Sequence, residues 1–255
     1  MRLAFSVLVG FGKKMLDNPD PFTSRAIDYM AVFELGNEGA GIRLLHWYPV
    51  EDVLGAPLPV TELSRHLAEN TASSMSPSGA ICFALPDASG VLFFGAKVVI
   101  ESFSVVALSR MPHLRLMRDA LNMLRQAVTS PAKLDLEPLV KSLILDLAHP
   151  VPDRLTLVNW ENLGELVIGM PMAKSLPHVD DEGFTLLFNS LSLDQVITVY
   201  EALLSEENIC FVSTKREDVL TMAVEACKSL TYPLVWQGAY QVRFLLFPHL
   251  RIYTR

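Results

Sequence analysis

Residues Leu193 to Tyr240 read LDQVITVYEALLSEENICFVSTKREDVLTMAVEACKSLTYPLVWQGAY, and their order decides the fold. Leu193, Val196, Ile197, Tyr200 and Leu204 recur at intervals that put apolar side chains on one stripe of a 3.6-residue period, which predicts an amphipathic helix. Ser192 and Gln195 stand three apart at its start, so each side chain is placed to satisfy a backbone N–H left bare by the first turn. Ile209, Cys210, Phe211 and Val212 form an apolar run too short for a helix. A strand with no polar face is expected to be covered on both sides, as in parallel sheets. Thr214 and Glu217 repeat the capping pattern, and Val219, Met222, Ala223, Ala226 and Leu230 carry a second helical stripe. Helix, strand, helix, strand is the order of an α/β layer.

These residues resemble the central segment of a DENN domain. The resemblance rests on Leu203-Leu204-Ser205-Glu206-Glu207-Asn208-Ile209-Cys210-Phe211-Val212-Ser213, then the helix, then Tyr232-Pro233-Leu234-Val235-Trp236-Gln237-Gly238-Ala239-Tyr240. It extends upstream through Asp28-Tyr29-Met30-Ala31-Val32-Phe33-Glu34-Leu35, Tyr48-Pro49, Ile81-Cys82-Phe83-Ala84-Leu85-Pro86 and Leu92-Phe93-Phe94-Gly95-Ala96. It also takes in Leu108-Ser109-Arg110-Met111-Pro112 with the helix after it, and Val151-Pro152. The implied fold class is α/β: a longin-like upstream module, an antiparallel sheet with helices, followed by a three-layer α/β central module. The implied division is a lead segment at 1–24, the upstream module at 25–150, the central module at 151–240 and a divergent tail at 241–255. The family continues beyond the Tyr240 block into further helices, so the chain is expected to be C-terminally truncated. Ser213, Tyr232, Pro233, Trp236 and Tyr240 are its family-motif positions, expected to be mostly structural.

Elements expected from period and turn residues agree with that order. Strands are expected at 29–35 and 42–48, a short helix at 62–68, and strands at 80–85, 91–100 and 103–107. Leu114, Met117, Leu121, Leu124 and Val128 mark a long helix, and Leu136, Leu139, Val140, Leu143, Ile144 and Leu147 mark another, stopped by His149 and Pro150. The connection between modules is expected around 130–155, with a strand at 166–168.

Composition bounds the function. A content of 51% hydrophobic residues in 255 suffices for one large or two modest cores. The net charge of −7 carries no Lys/Arg cluster, which argues against nucleic acid. Cys82, Cys210 and Cys227 are far apart in apolar stretches and are expected to be buried free thiols in a reducing compartment. Arg2 followed by Leu3-Ala4-Phe5-Ser6-Val7-Leu8-Val9 imitates a secretory signal, but Lys13 and Lys14 follow without a cleavage pattern.

No stretch carries a recognisable catalyst. Ser213-Thr214-Lys215-Arg216 lies where a strand opens a helix but lacks the glycines that bring a phosphate to the backbone, so a solvated helix start is expected. Ser76-Pro77-Ser78-Gly79 lacks the G-x-S-x-G elbow. The histidines at 46, 66, 113, 149, 178 and 249 have no ligand spacing, and His178 to Glu182 reads as a solvated acidic loop. Trp236 and Tyr240 read as buried anchors of the last strand. No cofactor or metal is therefore expected. The resemblance implies a cytoplasmic guanine-nucleotide exchange factor for Rab-type small GTPases, recruited through the GTPase to vesicle or endosomal membranes. A non-catalytic DENN-like interaction module is the first alternative, and an α/β hydrolase or nucleotide-binding enzyme the second. The residues that would touch the GTPase have no fixed spacing and are not legible.

Overall fold

Five antiparallel strands, in the order 43–48, 29–34, 103–109, 92–100 and 81–86, form the largest sheet of the computed structural model. The structure describes residues 4–10, 25–36, 42–48, 59–71, 79–86, 92–130, 135–148, 150, 154–160, 163–169, 181–213, 217–234 and 239–245. The chain divides into two units, one of residues 16–178 and one joining 1–15 to 179–255.

In the larger unit, β2 (Tyr29–Glu34) and β3 (Arg43–Tyr48) precede α1 (Val60–Thr71). Next come β4 (Ile81–Pro86), β5 (Leu92–Ile100), β6 (Phe103–Ser109) and α2 (Leu114–Thr129). After α2 the chain forms α3 (Leu136–Asp146) and a separate hairpin, β7 (Leu155–Trp160) with β8 (Gly164–Gly169). Tyr29, Ala31, Phe33, Phe83, Phe93, Val106 and Leu108 project from the sheet into one cluster with Leu63 and Leu67 of α1. Helix α2 lies against β5, and α3 against α2 and β2. Leu121, Leu124 and Leu143 are fully buried there, and each such side chain contributes roughly 1.5–3 kcal/mol. Burial on both faces explains why Leu92–Ile100 is an apolar run with hardly a polar break.

Gly95 sits on β5 opposite Phe83 on β4 and Leu108 on β6. A Cβ there would fall 2.5 Å from Phe83 Cζ and 2.8 Å from Leu108 Cδ2, so only glycine leaves both side chains their room. Asp28 ties the two ends of this region together. Its N–H donates to the Leu108 carbonyl at 2.8 Å, and its Oδ2 accepts from the Arg110 N–H at 2.7 Å.

In the smaller unit, β1 (Ala4–Gly10) lies between β10 (Ala239–Leu245) and β9 (Ile209–Ser213), antiparallel to both. Helix α6 (Glu217–Leu230) packs on β1 and β9, and α4 (Asp181–Ser190) and α5 (Leu193–Leu204) pack on α6. The cap at Ser192 forms as its sequence predicts: Gln195 N–H donates to Ser192 Oγ at 3.4 Å, and Ser192 N–H donates to Gln195 Oε1 at 2.9 Å.

Several expectations are overturned. Residues 4–10 are no lead but the central strand of a sheet, and the 241–245 part of the tail continues that sheet. Strand β9 is antiparallel and only half-buried, because it is an edge of three strands and not the middle of a parallel layer. Cys210 on β9 is consequently exposed, whereas Cys82 and Cys227 are buried as expected. The division between units falls after residue 178 and not around 130–155, because the β7–β8 hairpin packs on α2. Asp181 and Glu182 open α4 where an acidic loop was expected. Of the stripe that identifies α5, only Val196 belongs to its buried face. Val196 and Leu203 are buried, while Leu193, Ile197 and Leu204 are exposed.

Candidate functional site

Of the family-motif positions, Ser213 and Tyr240 lie on strands of the smaller unit's sheet. Ser213 ends β9, half-buried and paired with Phe5 on β1, and Tyr240 stands on β10 paired with Val9. Helix α6 leads directly into the Tyr-Pro segment, and that exit is held by the backbone. Thr231 N–H donates to the Lys228 carbonyl at 3.2 Å, Tyr232 N–H to Ser229 at 3.1 Å and Leu234 N–H to Thr231 at 2.9 Å. The Thr231 hydroxyl is buried and donates to the Lys228 carbonyl at 2.7 Å. The Tyr232–Pro233 bond is cis, and Tyr232, Pro233 and Leu234 lie exposed beyond it. Trp236, the Thr214 to Arg216 stretch, Ser76 to Ser78, His149, His178 and His249 lie outside the described residues.

Four side chains suggest chemistry by type, and their surroundings show what they do. Lys97 Nζ lies 3.1 Å from His66 Nε2, both buried, with the Phe83 ring 4.5 Å from the imidazole and 5.7 Å from the amine. Burial, and then the Lys97 charge, hold the His66 pKa well below its ordinary range, so the imidazole is neutral and Nε2 accepts from the ammonium. Cys227 is equally withdrawn, its thiol pushed up to about 12 by burial, which removes the thiolate needed for nucleophilic attack. His46 is exposed on β3. Among the described residues no group of three or more His, Cys, Asp or Glu is placed to hold a metal ion.

What the molecule offers instead is apolar surface. On the hairpin, Trp160, Leu166 and Ile168 are buried at 6, 7 and 3% exposure. The opposite face presents Leu155, Leu157 and Val167 at 80, 59 and 62%, with Leu157 directly across from Val167. Neighbouring apolar side chains at such exposure are uncommon on a surface that meets only water. The signal was present in the sequence as Leu155-x-Leu157 opposite Val167, an alternation masked by its prolines and glycines. The second such surface is on α5, with Leu193 65% and Ile197 46% exposed.

A family model described as the DENN (AEX-3) domain matches residues 100–242. A DENN domain-containing protein of Schizosaccharomyces pombe is 32% identical over 114 residues, covering 44% of this chain and 12% of that protein. DENN domain-containing protein 2A of Homo sapiens is 32% identical over 108 residues, covering 41% of this chain and 10% of its own length. Its Mus musculus counterpart is 31% identical over 108 residues, with the same coverage of 41% and 10%. The match thus spans about a tenth of the length of these curated relatives.

Proposed function

The chain belongs to the DENN (AEX-3) domain family, and from that premise we propose that it is a guanine-nucleotide exchange factor for Rab-type small GTPases, working by grip and not by covalent chemistry. The observation that carries this reading is the family match over residues 100–242, which runs from the large sheet through α6 to β10. The exposed apolar side chains of the hairpin and of α5 suit a protein that works through contact.

Bound GDP and Mg²⁺ hold the switch loops of a GTPase in place. A protein that prefers the opened, nucleotide-free form shifts the population toward it, by no more than its differential affinity for the two forms, and speeds release. Each tenfold gain in release corresponds to about 1.4 kcal/mol off the barrier. The surface needed is of ordinary size, roughly 1,200–2,000 Å² in total. In this reading a longin-like upstream module lies within the larger unit and a central module takes in the smaller one, and the GTPase brings the chain to a vesicle or endosomal membrane. No helix among the described residues is long and apolar enough to cross a membrane.

Release of fluorescent GDP, measured across a panel of Rab proteins with the whole chain at micromolar concentration, tests the proposal. The expected result is acceleration of roughly tenfold or more for at least one Rab. No acceleration with any of them overturns it, and capture of a nucleotide-free Rab without release identifies a binding module instead.

A further inference from the structure

Helix α5 carries two apolar faces. Val196 and Leu203 are buried within its unit, while Leu193, Ile197 and Leu204 stand 65, 46 and 45% exposed. With half-buried Tyr200 they succeed one another at steps of four, three and four residues, which at 100° per residue is a single stripe along the whole helix. One border of the stripe is the buried face. Along the other lie Asp194 and Glu201, exposed and two turns apart.

The stretch of sequence that contains α5 is one-sided in charge. Between Lys174 and Lys215 there is no Lys or Arg, but there are seven acidic residues: Asp180, Asp181, Glu182, Asp194, Glu201, Glu206 and Glu207. Taking these seven from the 28 acidic residues of the chain leaves 21, matched by its 21 Lys and Arg. The net charge of −7 thus equals the charge of this segment of the sequence, which contains the exposed apolar stripe.

That combination selects the occupant. Membrane-surface helices border their apolar face with Lys and Arg, and an anionic bilayer repels carboxylates. Nucleic acid is excluded by the same sign. A second copy of this chain would press one acidic border against another. We propose that the α5 stripe docks an amphipathic helix of a partner protein whose apolar face is bordered by Lys and Arg. Apolar anchors at helical spacing supply the contact, and the opposed charges set register and speed encounter. This holds whichever GTPase, if any, the chain acts upon.

The test uses fluorescein-labelled peptides of roughly 18 residues, long enough to be helical, with Leu on one stripe and either Lys or Glu elsewhere. They are titrated against the whole chain at physiological salt. The Leu/Lys peptide is expected to bind and the Leu/Glu peptide not to. The double variant Leu193→Ser with Ile197→Ser, whose charge is unchanged, is expected to bind the Leu/Lys peptide roughly tenfold more weakly, as is Asp194→Lys with Glu201→Lys. Leu204→Ser, at the far end of the helix, gives an independent reading should the double serine variant lose its far-UV circular dichroism. No binding by the wild type, or equal binding by the serine variants, overturns the proposal. So does binding of the wild type to phosphatidylserine vesicles through this stripe, or a wild-type dimer that the serine variants dissolve.

Discussion

Gly95 and His66 show how much a single side chain decides in this sheet. The hydrogen of Gly95 faces Phe83 and Leu108 at distances no methyl tolerates, so Gly95→Ala must push a ring and a leucine within a packed core. The expected loss is about 1–3 kcal/mol, read as a lowered urea midpoint with an unchanged slope. His66 is held neutral by burial and by Lys97, with its folded pKa below the ordinary ~6.5. Below that value the unfolded chain binds the proton more readily than the folded one. Stability is therefore expected to be fully present above pH ~6.5 and to fall as pH drops through it, by at most ~1.4 kcal/mol per pH unit from this group. Urea midpoints at a series of pH values, for the wild type and for His66→Phe, check this. The variant should lose part of the acid slope, and an identical slope in both would show that another group sets it.

Among the elements, α5 separates what spacing reveals from what it does not. Its start was legible because a capping box is a local matter, and Ser192→Ala, which removes the oxygen accepting from Gln195 N–H, is expected to cost about 1 kcal/mol in chemical denaturation. Its buried face was not legible, since apolar residues occupy more than half its circumference and only the neighbours choose among them. Leu203→Ala is accordingly expected to cost ~2–5 kcal/mol and Ile197→Ala within about 0.5, although the two side chains look equivalent in sequence. Equal losses would show that the stripe is covered. Strand β9 makes the same point in a sheet. Ile209 to Val212 look fit for the centre of a parallel layer, but an apolar run reports attraction to some cover and not the direction of its partner. The five-stranded sheet, antiparallel and yet apolar on both faces, shows that helices on each side are enough to produce such runs.

At the scale of the molecule, the first ten residues are bound up with the last part of the chain. Strand β1 is the middle of the β10-β1-β9 sheet, so without it β9 and β10 have no strand between them. Deleting residues 1–10 is expected to abolish protection from hydrogen exchange in α6 while leaving that of α2 and β5 near the wild-type level, since the latter belong to the other unit. Unchanged protection in α6 would mean that its helices fold without the sheet. The sequence alone determined the order and type of most elements from Tyr29 to Leu230, the capped start of α5 and the family, because periodicity, caps and motif order are properties of neighbouring residues. Tertiary structure decided that 4–10 joins 239–245, that 155–169 belongs with the large sheet's unit, and which apolar side chains of α5 and the hairpin face water. Those are pairings between residues distant in the chain, and an apolar side chain carries no mark of the surface that will cover it.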